Sequence, residues 1–468
     1  MNKVRIFLII VCLIFLVQGL NAQRQYRDLM WGISDAYYGM FDENNPYATG
    51  EMLNHIRQER FYLILPRVMR EHKIDMWIHV IRPWAWGGTD PLRYEFGSKS
   101  GVFIFTDRGG DRIERVVFEG QVVDPGAYDL VRGESKFINL ENYEIMDYLA
   151  ENPGVTYESE LDFRFLGLKE FVAERDPKRI AVNYVESLSF PEGSETFTLA
   201  LTDGISYTDY IQLKKALGKK YAKRMVSAEH LILDYLSRRV ASEIVLYGIS
   251  GNLRERPRKF DKVVPGVTTL GEIGDAYVIN KDGRRISSED YVIQRGDLII
   301  SWRGWAYVLR KGEKDIPFYI KKFWEDIERI WQILLQNIKV GRTGRETVDL
   351  LIRKLEKAGF SHHDRQLYDR CHNPQKTQVA LDMHAEGKGV LAPRISHLGP
   401  KWHSNLKLRL FHTFAVEFFV YMAVPEWNKA NNFNGQHLQV MFHDGAVVTG
   451  RGMEIAYPPR YRKIQIIQ

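Results

Sequence analysis

Two kinds of hydrophobic spacing alternate along this 468-residue chain, and their interleaving narrows the possible folds more than any other feature. Met52, Ile56, Phe61, Leu65, Val68 and Met69 recur at helical intervals. They give way to apolar runs at 76–81, 102–105 and 113–118, which read as strands, the last two turning at Asp107 to Gly110 as a hairpin. Pro66 interrupts the helical run and marks either a kink or a join between two helices. Leu161 to Val172 predicts another helix, stopped at Asp176-Pro177, and Arg179 to Tyr184 predicts a strand. From Ser206 to about Leu246 the spacing is helical again. Ile316 to Gln336 and Thr347 to Ala358 are amphipathic helices, with Gly359 as the cap of the second. Ile299, Trp305, Tyr307 and Leu309, then Phe414, Val416, Phe418 and Val420, then Leu438, Val440 and Phe442, alternate with the period of strands. Such a chain is α/β (α+β) in class, in two domains, the second ending on antiparallel strands.

Composition agrees with a folded, multidomain chain: 45% of residues are hydrophobic and 26% charged, which excludes a disordered tail. The net charge of +6 is too mild for a nucleic-acid binder. Met1 to Ala22 has a basic start at Lys3 and Arg5, an apolar run from Ile6 to Val17, and small residues before Gln23. It reads as an export signal cleaved near Ala22, because twelve apolar residues fall short of the about 20 that a spanning helix needs. No other stretch is apolar enough to span, so the expectation is an exported protein, periplasmic or extracellular, with no integral membrane segment. Cleavage would remove Cys12 and leave Cys371 alone, so no internal disulfide can form. A polar segment at 23–49 would precede an N-terminal domain at 50–238 and a C-terminal domain at 239–468. No Gly-rich loop joins a strand to a helix, which leaves a dinucleotide or triphosphate fold without support.

Several segments in order resemble one family. Arg239 to Ile244, Gly296-Asp297-Leu298-Ile299, Val340 to Gly344 with the helix ending at Ala358-Gly359-Phe360, Ala415-Val416-Glu417, Val424 to Trp427 and Asp444 to Thr449 are similar to segments of the creatinase and Xaa-Pro aminopeptidase group. The resemblance implies a creatinase-like N-terminal domain with a mixed sheet, a pita-bread C-terminal domain, and removal of an N-terminal residue ahead of proline. It further implies a homodimer, in which the N-terminal domain of one subunit borders its neighbour's active site.

The family's chemistry uses two Asp, one His and two Glu to hold a pair of divalent ions, which share a hydroxide and stabilise charge on the scissile carbonyl. Here the resemblance puts Trp302 where the first Asp belongs, and an indole supplies no metal lone pair. The second Asp, eleven residues on, falls at Glu313, with Asp315 close by. His384 matches the His, Glu417 the first Glu, and His443 replaces the final Glu; the second, substrate-facing His of the pattern has no counterpart. The implied set is therefore Glu417, His384 and His443, with Glu313 as a fourth. Such a set suits no metal or one divalent ion, zinc or manganese, and not a two-metal centre.

Two readings follow. One is a mononuclear aminopeptidase in which Glu426 handles protons. The other is an inherited cleft that binds a peptide or small amide ligand, or serves only as packing, without turnover. Trp84 and Trp86 beside Gly87-Gly88 form an aromatic turn suited to a ligand or a second subunit. Nine of the thirteen histidines lie from His362 onward, a weak metal or proton-responsive signal without a His-Glu-x-x-His spacing. No Gly-x-Ser-x-Gly elbow supports a serine hydrolase.

Overall fold

A computed structural model of the chain describes residues 47, 49–82, 90, 92–98, 100–120, 122–132, 163–185, 204–254, 260–301, 304–363, 376–385, 393–398, 404–427, 437–456 and 464–468. The leader expected at 1–22, Trp84, Trp86 and Trp302 lie outside the described residues. Two compact units divide the chain, with the changeover at Glu243 and Ile244. Among the described residues no helix is long and apolar enough to cross a membrane.

The first unit opens with α1 (Gly50–Leu63), whose first turn is capped by the Thr49 hydroxyl accepting from the Met52 N–H at 3.2 Å. Pro66 stands in the first turn of α2 (Leu65–Glu71), where a missing N–H leaves no bond unmade, so it marks a join between two helices. A six-stranded sheet follows the order β4-β3-β2-β1-β5-β6, comprising β1 (Met76–Ile81), β2 (Gly101–Asp107), β3 (Ile113–Phe118), β4 (Leu130–Arg132), β5 (Ile180–Val182) and β6 (Met225–Ser227). β1 runs antiparallel to β2 and parallel to β5, so the sheet is mixed. All six residues of β1 are buried, which explains why it reads as an unbroken apolar run. The short α3 (Leu92–Phe96) lies between β1 and β2.

Two sequence expectations need correction. The helix expected over 161–172 is a 3-10 turn at Phe163–Phe165 followed by α4 (Leu168–Arg175), because Gly167 takes φ +70° between them. The helical run expected over 206–246 is broken into α5 (Tyr207–Ala222), β6, α6 (Glu229–Ser237) and α7 (Ala241–Arg254). β6 pairs in parallel with β5 through Met225, Val226 and Ser227, and that tertiary pairing overrides local periodicity.

The core of this unit holds a charge. Arg60 on α1 is 1% exposed; its Nε is 2.5 Å from Glu95 Oε2 and its Nη1 is 2.8 Å from Glu243 Oε2. It also donates to the carbonyls of Arg238 and Tyr235 at 2.5 and 2.8 Å. Burial alone would disfavour the cation, but Glu243 and Glu95 outweigh that cost and hold the guanidinium charged.

The second unit holds two five-stranded sheets. One runs β16-β10-β9-β7-β8, with β7 (Ala276–Ile279), β8 (Arg285–Ile286), β9 (Leu298–Ser301), β10 (Gly304–Val308) and β16 (Ile464–Ile467), the last parallel to β10. The other runs β11-β12-β13-β14-β15, with β11 (Ser361–His362), β12 (Gln378–Ala385), β13 (Thr413–Ala423), β14 (His437–Val448) and β15 (Met453–Ile455), antiparallel from β12 onward. After the short α8 (Leu270–Ile273) come the two long helices, α9 (Phe318–Asn337) and α10 (Gly344–Lys357). Thr343 and Glu346 form a reciprocal capping box at the start of α10. Gly359 closes it at φ +95°, with the Phe360 N–H reaching back to the Leu355 carbonyl. Phe323, Ile327, Ile330 and Leu334 of α9 and Val348, Leu351 and Leu355 of α10 share one core with Phe414, Val416, Phe418 and Val420 of β13. The α/β class and mixed sheets expected from the sequence are what the chain adopts.

Replacing Arg60 by Met leaves Glu95 and Glu243 buried without their cation, which should destabilise the chain by about 3–5 kcal/mol. Urea denaturation checks this: a loss below about 1 kcal/mol would mean that the network adds little beyond packing.

Candidate functional site

β13 is the middle strand of its sheet, and its alternation decides which side chains meet. Phe414, Val416, Phe418 and Val420 pack into the core under α9 and α10, so Ala415, Glu417, Phe419 and Tyr421 point to the opposite face. Phe419 and Tyr421 form a second apolar cluster there with Ala380 and Met441. One carboxylate, Glu417, therefore stands on an otherwise apolar strand and needs partners.

The flanking strands supply them. Glu417 is in register with Asp382 on β12 and with His443 on β14, and His384 lies one step along from Asp382 on the same face. His384 Nε2 is 3.6 Å from Glu417 Oε2, and His443 Nε2 is 3.5 Å from Glu417 Oε1. Each imidazole thus faces its own oxygen. Asp382 is held by Arg394, whose Nε and Nη2 reach Oδ1 and Oδ2 at 2.8 and 2.9 Å in a two-pronged pair. Arg394 is placed by the antiparallel bridge between Met383 and Ile395. Its carbonyl also lies so close to Gly344 that a Cβ there would come within 2.3 Å of it. The start of α10 is therefore pressed against the segment that carries the arginine.

Electrostatics couple the set. Desolvation works against a charged His384, but the adjoining Glu417 carboxylate, the Ala385 carbonyl and Asp382 together hold the imidazole above its ordinary range. Desolvation likewise opposes the Glu417 anion, yet His384, His443 and Arg394 hold its carboxyl below the usual value. The outcome is a coupled imidazole–carboxylate pair in which each partner favours the charged form of the other, with a second imidazole on its far side. The Glu417 oxygens keep lone pairs that can accept an amide N–H laid across β13.

The donors that meet here are one carboxylate and two imidazoles, with a second carboxylate paired to an arginine. Both oxygens of Asp382 are occupied by Arg394, and the two oxygens of Glu417 are addressed from opposite strands. Among the described residues no three His, Cys, Asp or Glu side chains converge closely enough to hold a metal ion.

The other residues singled out in the sequence lie apart from this cluster. Glu313 accepts the Tyr307 hydroxyl at 3.0 Å and the Arg310 N–H at 2.7 Å, so it closes the loop after its own strand β10. Asp315 pairs with Lys321 at 2.6 Å on the surface. Glu426 is exposed in the turn beyond the end of β13, next to Trp427, which packs on Tyr319. At roughly 3.3 Å per residue, the strand between Glu417 and that turn keeps Glu426 well away from the imidazoles. His397 binds Asp349 at 2.8 Å, with the His362 ring edge-on to it, so these histidines belong to the α10 side of the unit. Asp382 and Arg394 were not among the residues singled out. Their signal was the two-residue step from Asp382 to His384 inside a strand, which puts both side chains on one face.

One strand step from Glu417 and His443, a cavity of about 260 Å³ opens between the two sheets, with Phe419, Gln439 and Met441 on one wall and Tyr277, Ile300 and Trp305 on the other.

The chain matches no protein-family model and no curated protein. Among solved structures it is similar to the X-Pro aminopeptidase from Thermotoga maritima MSB8, at 12% identity and a TM-score of 0.44, over 86% of this chain and 100% of that one. It is similar also to a Xaa-Pro dipeptidase from Bacillus anthracis, at 14% identity and 0.41, over 88% and 99%. The prolidase from Pyrococcus horikoshii OT3 gives 13% and 0.35, over 86% and 97%.

The Glu417–His384 pair sets a pH window. His384 is raised above 6.5, so its contribution to stability is complete below that value and is lost as pH climbs through the folded pKa. Glu417 is lowered below 4.5, so its contribution is complete above that value and is lost as pH falls through the folded pKa. The pair should stabilise the fold most between these two values. In an NMR titration His384 should titrate above free imidazole, and Glu417→Gln should bring it down; a His384 midpoint unmoved by that change would refute the coupling.

Proposed function

We propose that this chain is a divergent relative of the creatinase and Xaa-Pro aminopeptidase group whose Glu417 cleft binds a peptide or small amide ligand without a two-metal centre. The observation that carries the reading is the occupation of the carboxylates: Arg394 takes both oxygens of Asp382, and imidazoles face both oxygens of Glu417. The family side of the proposal is supported by the order of the matching segments along the sequence. A ligand amide lying over β13 would donate its N–H to the Glu417 carboxylate, whose anion His384, His443 and Arg394 favour. Asp382 and Arg394, neutral as a pair, would brace that edge of the cleft.

The proposal includes export through the expected leader at 1–22 to a periplasmic or extracellular location, supported by its basic start and apolar run. The proposed organisation is a creatinase-like domain at 50–238 and a pita-bread domain at 239–468, assembled as a homodimer.

The test joins metal analysis of the purified mature chain to assays on short Xaa-Pro peptides, with and without added manganese, cobalt or zinc. Substoichiometric metal, no turnover, and saturable peptide binding weakened about tenfold or more by His384→Ala are the expected results. About two ions per chain, or turnover that metal restores and Glu417→Gln abolishes, would overturn the proposal in favour of a metallohydrolase.

A further inference from the structure

The cavity beside the Glu417 cluster has features that the cluster does not use. Its deep wall is apolar: Trp305 is 1% exposed and Phe419 and Ile300 are 4% exposed, with Met441 alongside. Its mouth carries two opposite charges, Asp275 and Arg285. Among the described residues neither has an ion-pair partner, although both line the same opening. Arg285 instead lies over the Tyr277 ring, its guanidinium carbon 3.9 Å from the centroid. Stacking uses the flat face of a guanidinium and leaves its edge N–H groups available for a carboxylate. Asp275, just before β7, takes φ +41°, a backbone state that Asp and Asn tolerate better than most residues and that turns its carboxylate out of the strand's regular course.

A pocket with one apolar wall, polar lining from Ser287, Ser301 and Gln439, and an unpaired cation and anion complements a ligand that is apolar at one end and zwitterionic at the other. The volume of about 260 Å³ corresponds to about nine water molecules at liquid density, enough for a phenylalanine-sized solute and too little for a folded partner. We propose that this cavity binds a free α-amino acid with a large apolar side chain. Its carboxylate would lie on the edge of Arg285, its ammonium on Asp275, and its side chain against Trp305, Phe419 and Met441. The inference stands independently of any turnover at Glu417, because none of the residues it uses belongs to the imidazole–carboxylate cluster.

Calorimetric titration of the full mature chain with L-phenylalanine tests it. Saturable binding in the micromolar to millimolar range is expected, and both 3-phenylpropionate, which lacks the ammonium, and phenethylamine, which lacks the carboxylate, should bind at least about tenfold more weakly. Arg285→Met and Asp275→Asn, both at exposed positions, should each weaken phenylalanine by a similar factor, and Met441→Trp should fill the cavity and abolish binding. No saturable signal from phenylalanine at millimolar concentration would overturn the proposal. So would equal affinity for either truncated analogue, or unchanged affinity in the two charge variants.

Discussion

A single carboxylate on the central strand of an apolar sheet organises the second unit's chemistry. Glu417 has bulky side chains below it in the core and Phe419 and Tyr421 beside it on its own face, so water alone cannot satisfy it. The pairing of β12, β13 and β14 resolves this by bringing His384 and His443 to its two oxygens from opposite sides. An 11-residue strand paired along its whole length with β14 holds that register firmly, because a slip of one residue would turn Glu417 into the core and Phe418 out of it.

The same logic operates in the first unit with the signs reversed. There a cation, Arg60, is buried between two carboxylates and two backbone carbonyls. A hydrophobic replacement of the whole group could be as stable, but removal of one member could not, since the others would remain as uncompensated buried charges. In both units, then, ionisable groups that periodicity would assign to solvent are found inside, held by partners far away in the sequence.

Much of the architecture was legible from spacing. The apolar run 76–81, the hairpin from 102 to 118, and the helices near 316–336 and 347–358 all appear close to where the periodicity put them, because each buries one face or both against a single neighbour. The reading failed where two signals competed. Residues 206–246 keep a helical spacing throughout, yet Met225 to Ser227 leaves it to complete the edge of a sheet. Gly167, read only as part of a helix, takes a left-handed backbone and divides it. At the site, the resemblance named His384, Glu417, His443 and Glu313; the first three meet across adjoining strands, whereas Glu313 serves the loop after β10, and Glu426, chosen only as a neighbouring acid, is exposed in a turn. Asp382 and Arg394 escaped notice because their pairing depends on a bridge between Met383 and Ile395 that no local spacing announces.

The sequence by itself determined the class of fold, the alternation that puts Glu417 on the face away from the core, and the chemical kinds of donor available to it. These are local matters, settled by side-chain period and residue type. Only the tertiary structure decided that two imidazoles share that carboxylate, that Arg394 occupies both oxygens of Asp382, and that a cavity with unmatched charges opens one strand step away. Those outcomes depend on strand register and on the packing of one sheet against another, which join residues tens to hundreds of positions apart and carry no periodic signature in the chain.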